Sequence, residues 1–67
     1  MKITFDKDAD AAYIYFKEIA PGEVSKTISL NDCINIDTDA DGKTLGIEIL
    51  DASKNLPGEA VAVAGGS

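Results

Sequence analysis

Apolar and polar residues alternate with a period of two in several short stretches, which predicts a β-sheet. Residues 2–5 form the first stretch, with Ile3 and Phe5 on one face. The second stretch, Ala11–Phe16, is apolar on both faces and rich in strand-forming residues. Such a strand is typically central and covered on both sides, by a helix or by another subunit. A helix over residues 8–16 is the competing prediction, and the β-branched and aromatic content argues against it.

The middle of the chain carries large apolar residues at even positions, namely Ile28, Leu30, Ile34 and Ile36. Two arrangements keep them on one face. The first is a hairpin with a three-residue loop, Asn31–Cys33, because a two-residue loop would pair Leu30 with Cys33. The second is one long strand, with Asp32 on the apolar face or relieved by a bulge. A hairpin or a sharp bulge is favoured, since an unpaired carboxylate on a core face is costly.

A further alternation follows at odd positions, carried by Leu45, Ile47 and Ile49. If Ile36 pairs with Leu45, the two strands share an apolar face and Asp39–Gly42 becomes a four-residue connection. Gly42 would then take the left-handed conformation that such a connection requires. The residues predicted to be buried on a common side are Ile3, Phe5, Ile34, Ile36, Leu45, Ile47 and Ile49.

The last third of the chain predicts a short helix and a tail. Asp51–Lys54 can start the helix with Asp51 as its N-cap, and Pro57-Gly58 ends it. Residues 60–67 are low in complexity and predict a tail that is frayed or adds an edge strand over 60–64. The chain is therefore expected to be one mostly β domain of the α+β class over residues 1–59. Its predicted architecture is a small antiparallel meander of four or five strands with one short C-terminal helix.

These segments resemble a small bacterial family known as domain of unknown function 2283. The resemblance covers roughly residues 2–56 and is most specific in the stretch Gly46-Ile47-Glu48-Ile49-Leu50-Asp51-Ala52. Further matching positions are Ile3-Thr4-Phe5-Asp6, Ala9-Asp10-Ala11, Tyr13-Ile14, Asp37, Asp39 and Asp41-Gly42. The chain departs from the family where many members carry a basic residue after Tyr-Ile, since Tyr15 stands there. The resemblance implies the fold and no activity, cofactor or catalytic residue.

Composition excludes several functional classes. The net charge is −6, with twelve carboxylates against six lysines and no arginine, so direct binding to nucleic acid is not expected. The chain has no histidine, so the usual Ser-His and Cys-His nucleophile systems cannot form, and we expect no enzyme activity and no cofactor. A lone cysteine and the lack of a long apolar run indicate a cytoplasmic protein without a membrane span.

Asp37-x-Asp39-x-Asp41-Gly42-x5-Glu48 fits the calcium-loop pattern of ligand spacing. A calcium loop of this type is flanked by helices, whereas strands flank this one, and alternation carries Glu48 away from the turn. We therefore expect an Asp/Gly hairpin turn, with Asp37, Asp39 and Asp41 as candidate ligands for weak divalent-cation binding only. The second acidic cluster, Asp6–Asp10, is likewise expected to serve its own turn.

Functional expectations rest on surface and charge. A chain of this length buries only about 60% of its unfolded surface, and the helix is too short to cover the sheet. We therefore expect a non-catalytic interaction module that forms a homodimer or a higher oligomer. The predicted interface consists of Tyr13, Ile14, Tyr15 and Phe16. The acidic surface also suits a basic protein partner. The alternative function is divalent-cation or small-ligand binding through the acidic turns.

Overall fold

A computed structural model describes the backbone of residues 1–66 and the side chains of residues 1–63. The chain is mostly β with helices near its C-terminus, which confirms the predicted α+β class. The strands and helices of the described residues are β1 Lys2–Asp6, β2 Ala11–Tyr15, β3 Lys26–Ser29, β4 Ile34–Thr38, β5 Thr44–Leu50, α1 Ala52–Asn55 and α2 Gly58–Gly66.

The five strands form one sheet in the order β1-β2-β5-β4-β3, and all neighbours are antiparallel. A simple meander would place β3 beside β2, whereas β5 takes that position here. The loop between β2 and β3 carries the chain to the edge of the sheet opposite β1. A salt bridge between Lys17 and Glu23, with an N···O distance of 2.5 Å, joins two points of this loop. β5 is the longest strand and lies at the centre.

The first hairpin joins β1 to β2 through the acidic turn. Ile3 lies opposite Ile14, and Phe5 lies opposite Ala12. The Asp6 carboxylate accepts two backbone N–H groups of the turn at 3.0 and 3.3 Å. Asp6 therefore uses its side chain to hold its own turn, as expected for a short acidic side chain.

The second hairpin joins β3 to β4 and confirms the predicted three-residue loop Asn31–Cys33. The Leu30 N–H donates to the Ile34 carbonyl at 2.8 Å, so these two residues close the loop. The Asn31 side chain accepts the backbone N–H groups of the last loop residue and of Ile34 at 2.8 and 2.9 Å. An asparagine bonding to its own turn explains why the chain reverses here.

The predicted pairing of Ile36 with Leu45 is wrong. Ile36 lies opposite Ile47, and the register shifts between Asp37 and Thr38. Leu45 is the extra residue of this β-bulge, and its side chain is buried. A bulge places two residues of one strand against one residue of the other, which alternation alone does not predict.

The connection between β4 and β5 is five residues long, 39–43, rather than four. The Asp39 N–H donates to the Lys43 carbonyl at 3.0 Å, and its carboxylate accepts the N–H groups of Asp41 and Lys43 at 2.9 Å each. Gly42 has a φ of 84°, which confirms its predicted left-handed conformation.

The register places ten apolar residues on one face of the sheet, which we call the apolar face. Five isoleucines form a continuous cross-strand row, and a second row of mixed size runs beside it. The members of the apolar face are Ile3, Ile14, Ile47, Ile36, Ile28, Phe5, Ala12, Ile49, Ile34 and Leu30.

The core under this face is small. Ala12, Ile49 and Ala52 are buried together, and partly buried neighbours including Leu56 pack against them. Among the residues predicted to be buried, only Leu45 and Ile49 are so. The prediction is wrong for five others, which are only half-buried: Ile3, Phe5, Ile34, Ile36 and Ile47. The physical reason is that α1 and α2, about 6 and 14 Å long, pack mainly against β1 and β5, whereas the sheet is about 19 Å wide.

Asp51 occupies the N-cap position of α1, as predicted, but the side chain that caps the helix is that of Asp10, from the β1–β2 turn. The Asp10 carboxylate accepts the Ser53 N–H at 3.0 Å and the Ser53 hydroxyl at 2.7 Å. Asp51 takes a left-handed conformation, with a φ of 48°, and its side chain makes no capping hydrogen bond. The left-handed backbone turns the chain off β5 and brings the helix N-terminus to Asp10.

Residues 60–66 belong to helix α2, so the edge strand considered for residues 60–64 does not form. The Pro57 carbonyl accepts the N–H groups of Ala60 and Val61 at 2.9 and 3.3 Å. Proline before a first helical turn and the high helix propensity of alanine explain this outcome. Helix α2 packs against β1 and α1. Ser67, part of the predicted tail, lies outside the described residues.

Candidate functional site

The acidic turns do not converge on a common point. Asp39 bonds to its own turn, Asp41 is exposed, and Asp37 lies on the sheet. Glu48 accepts a hydrogen bond from the Asn35 amide at 3.1 Å. Among the residues that the structure describes, no three His, Cys, Asp or Glu side chains are close enough together to hold a metal ion.

A hydrogen-bonded network spans four strands on the face opposite the helices. The Tyr13 hydroxyl, on β2, donates to the Asp37 carboxylate on β4 at 2.5 Å. The Thr27 hydroxyl, on the edge strand β3, donates to the other Asp37 oxygen at 2.6 Å. The Tyr13 ring reaches Asp37 by crossing β5 over Gly46, where a Cβ would stand 2.5 Å from the Tyr13 hydroxyl. Gly46 is therefore needed for this crossing.

Further polar and aromatic contacts flank this network. The Tyr15 ring lies 4.6 Å from the Tyr13 ring between centroids, tilted by 50°. The Lys2 ammonium lies 5.6 Å above the Tyr15 ring, within the range of a cation–π contact. We call this side of the sheet the polar face; its members are Lys2, Tyr13, Tyr15, Thr27, Asn35, Asp37, Gly46 and Glu48.

Burial and the hydrogen bond donated to Asp37 raise the pKa of Tyr13 above its ordinary value. The phenol is therefore held protonated as a hydrogen-bond donor and cannot act as a base near neutral pH. Within the described residues, every buried side-chain nitrogen and oxygen has a hydrogen-bond partner. The polar face thus holds no orphaned group aimed at a ligand, and its chemistry is that of a satisfied structural network.

Strand alternation divides the predicted interface between the two faces. Tyr13 and Tyr15 lie on the polar face and are half-buried, whereas Ile14 lies on the apolar face within the isoleucine row. Phe16 follows β2 and is exposed, and its N–H donates to the Leu45 carbonyl at 2.9 Å. These four residues therefore do not form one continuous patch, and their role in an interface stays a prediction.

The exposed part of the apolar face lies at β3 and its flanks. Ile28 is 45% exposed and Leu30 is 65% exposed, and Val24, just before β3, is also exposed. The helices pack against β1 and β5, on the other side of the molecule. We call Val24, Ile28 and Leu30 the β3 patch. No sequence signal separated these residues from the core, because they continue the same alternation.

Two other features carry less chemistry. An open groove of about 510 Å³ lies beside the ends of β1 and β2, lined by Lys2, Tyr15 and Lys17 among others. The Cys33 thiol is half-buried, and its sulfur lies 3.7 Å from the Asp51 carboxylate, to which it donates. Reactive cysteines lie in electropositive surroundings, whereas a carboxylate lies beside this sulfur, so the position does not match that of a reactive cysteine. No helix within residues 1–66 has the length and apolar character needed to cross a membrane.

Comparison with known proteins gives one match. The family described as "Protein of unknown function (DUF2283)" matches residues 2–53 of the 67. The matched span begins at β1 and ends within α1, so it includes the whole sheet, Gly46 and the Asp10 cap. No curated protein and no solved structure matches the chain.

Proposed function

We propose that this chain, which belongs to the DUF2283 family, is a non-catalytic interaction module that self-associates through the exposed part of its apolar face. The observation that carries the proposal is the β3 patch. Ile28 and Leu30 of this patch lie on the same face as the small core, yet the helices pack against β1 and β5 and leave both residues exposed. A second copy would complete the cover.

The energetics favour covering this patch. Full burial of a Val, Leu or Ile side chain contributes about 1.5–3 kcal/mol. Each side chain left about half exposed therefore forgoes roughly 1 kcal/mol, which an identical surface can supply. A two-fold dimer is the simplest solution, because the same patch then faces itself.

Charge opposes this association only weakly. The chain carries −6 overall, but residues 24–31 contain one lysine and no carboxylate. Carboxylates near the patch include Asp32, two residues after Leu30, and Asp37, which accepts the Thr27 hydroxyl on the opposite face of the sheet. Screening at physiological salt acts within about 8 Å, so the carboxylates on the other turns contribute little repulsion at the patch. We therefore expect a weak dimer that is a minor species at low micromolar concentration and becomes dominant as the concentration rises.

The non-catalytic character rests on composition and geometry together. The chain contains no histidine or arginine. The polar side chains that could do chemistry, above all Tyr13 and Asp37, are hydrogen-bonded to one another. The acidic turns hold their own backbone or cap α1, so they support the alternative of cation binding only weakly.

The test compares the mass in solution of matched variants by light scattering. We expect wild-type chain to approach twice 7.0 kDa as the concentration rises, and Leu30→Ser to shift the transition to higher concentration at least tenfold. Val63→Ser is the matched control, because Val63 is a similarly exposed aliphatic residue on α2 and far from β3. Tyr15→Asp and Phe16→Asp test the interface predicted on β2. Equal masses for Leu30→Ser and wild type would exclude the β3 patch.

A further inference from the structure

Among the residues that the structure describes, no strand or helix pairs with the outer edge of β3. All four residues of β3 are exposed, and the strand contains no proline and pairs with β4 without a bulge. Natural sheets protect an edge with proline, bulges, short strands, charged side chains or a covering element, and of these β3 has only its short length and Lys26. The opposite edge, β1, has helix α2 packed against it. The edge without a covering helix therefore lies next to the β3 patch.

The hydrogen bonds of the second hairpin fix which backbone groups of β3 are unused. The Leu30 N–H donates inward to β4. Along an antiparallel strand, the backbone N–H and C=O groups of successive residues point alternately toward one neighbouring strand and away from it. Ile28 therefore also directs its N–H and C=O toward β4, where it pairs with Ile36. Thr27 and Ser29 direct theirs outward, away from the sheet.

We propose that two copies of the chain pair through β3, antiparallel and about a two-fold axis that passes beside Ile28, to form one continuous ten-stranded sheet. This inference rests on the proposed self-association and specifies its geometry. In this register Thr27 lies opposite Ser29 of the second copy, so the outward backbone groups of both residues form four hydrogen bonds. Ile28 of one copy lies opposite Ile28 of the second copy, so the isoleucine rows of the two sheets become continuous.

Three features of the strand favour a second copy as the occupant. The sequence around the axis is self-complementary, with a small hydroxyl residue on each side of Ile28, so no bulky side chain opposes another beside the axis. The Thr27 and Ser29 hydroxyls already donate within their own chain, to Asp37 and to the Asn31 carbonyl. The segment carries no carboxylate, so two copies do not repel each other there. Lys26 lies opposite Leu30 of the second copy, where its aliphatic stem covers the leucine and its ammonium reaches water.

A disulfide cross-link tests this register. In a Cys33→Ser background, Ile28→Cys places two thiols on a non-hydrogen-bonded pair with a Cα separation of about 4.5 Å, which a disulfide spans. Lys26→Cys is the matched control, because its two copies lie about 13 Å apart along the strand. We expect oxidation to give a covalent dimer at Ile28→Cys at least tenfold faster than at Lys26→Cys.

A second variant removes an outward donor without touching the pairing with β4. Ser29→Pro eliminates one N–H at the edge, where proline is tolerated, and we expect a folded chain by circular dichroism whose dimer dissociates at concentrations at least tenfold higher. A monomer at all concentrations would overturn both proposals and leave the edge to another protein. A wild-type dimer with equal cross-linking at both positions, and unaffected by Ser29→Pro, would overturn the β3 pairing and leave self-association standing.

Discussion

Replacing Gly46 with alanine should destabilise the chain, although the same change in an ordinary strand stabilises it. The backbone of Gly46 is not in the left-handed region, so alanine meets no conformational penalty there. The obstacle is the Tyr13 ring. An alanine Cβ would stand 2.5 Å from the Tyr13 hydroxyl oxygen, 2.7 Å from Cζ and closer still to Cε1. The ring must therefore leave its position across β5.

The expected cost follows from what the ring loses. A hydrogen bond to a charged group contributes about 1.5–3 kcal/mol, and the bond from Tyr13 to Asp37 is lost when the ring moves. Replacing a strand glycine with alanine otherwise raises the free energy of unfolding by about 0.5–1 kcal/mol, because glycine loses more conformational entropy on folding. The net destabilisation is therefore about 0.5–2.5 kcal/mol, which corresponds to a decrease in Tm of roughly 2–20 °C for a domain of this size.

The assay is urea denaturation of a double-mutant cycle at one fixed protein concentration, since self-association couples stability to concentration. In a Tyr13→Ala background the obstacle is gone, so Gly46→Ala should be neutral or stabilising by up to about 1 kcal/mol. Equal effects of Gly46→Ala in both backgrounds would refute the reasoning. The same conclusion would follow if Gly46→Ala stabilised the wild-type chain.

Three further outcomes follow from the site. Asp10→Ala should lower the free energy of unfolding by about 1 kcal/mol or more, because it removes the α1 cap and places alanine on a left-handed backbone with a φ of 50°. Asp8→Ala in the same turn should change it by less than about 0.5 kcal/mol, and equal effects would contradict the capping role. The Tyr13 phenol has a raised pKa in the folded chain, so its contribution to stability is complete below about pH 10 and is lost as the pH rises further. Ultraviolet titration of the Tyr15→Phe variant should show ionisation above the ordinary tyrosine range, and a midpoint near 10 would exclude the shift. Calorimetry should detect no Ca²⁺ binding tighter than about 1 mM, and micromolar affinity that is lost in Asp39→Ala would restore the cation hypothesis.

Local chemistry made much of the sheet predictable. The parity of Leu30 and Ile34 and the cost of burying Asp32 together indicated the three-residue loop, and Gly42 indicated the left-handed turn. The pairing of Ile36 was wrong because the bulge at Leu45 leaves the alternation of each strand intact. Only the register between β4 and β5 changes, and the alternation within each strand does not specify that register.

Long-range contacts were the part that the sequence did not reveal. Asp10 caps a helix 43 positions along the chain, while Asp51 stood at the conventional capping position. The contact of Tyr13 with Asp37 across Gly46 is also long-range, since these two residues are 24 positions apart. A glycine within a strand often marks a close approach of another group, so Gly46 could have indicated the crossing, but nothing local identified Tyr13 or Asp37 as its partners.

The mass of the wild-type chain in solution tests the central claim most directly. Sedimentation velocity over a concentration series from about 10 μM to about 1 mM covers the range expected for a small, weak interface. Self-association through the exposed β3 patch predicts a reversible rise from 7.0 kDa to twice that mass. A folded chain that stays at 7.0 kDa throughout the series would contradict the account.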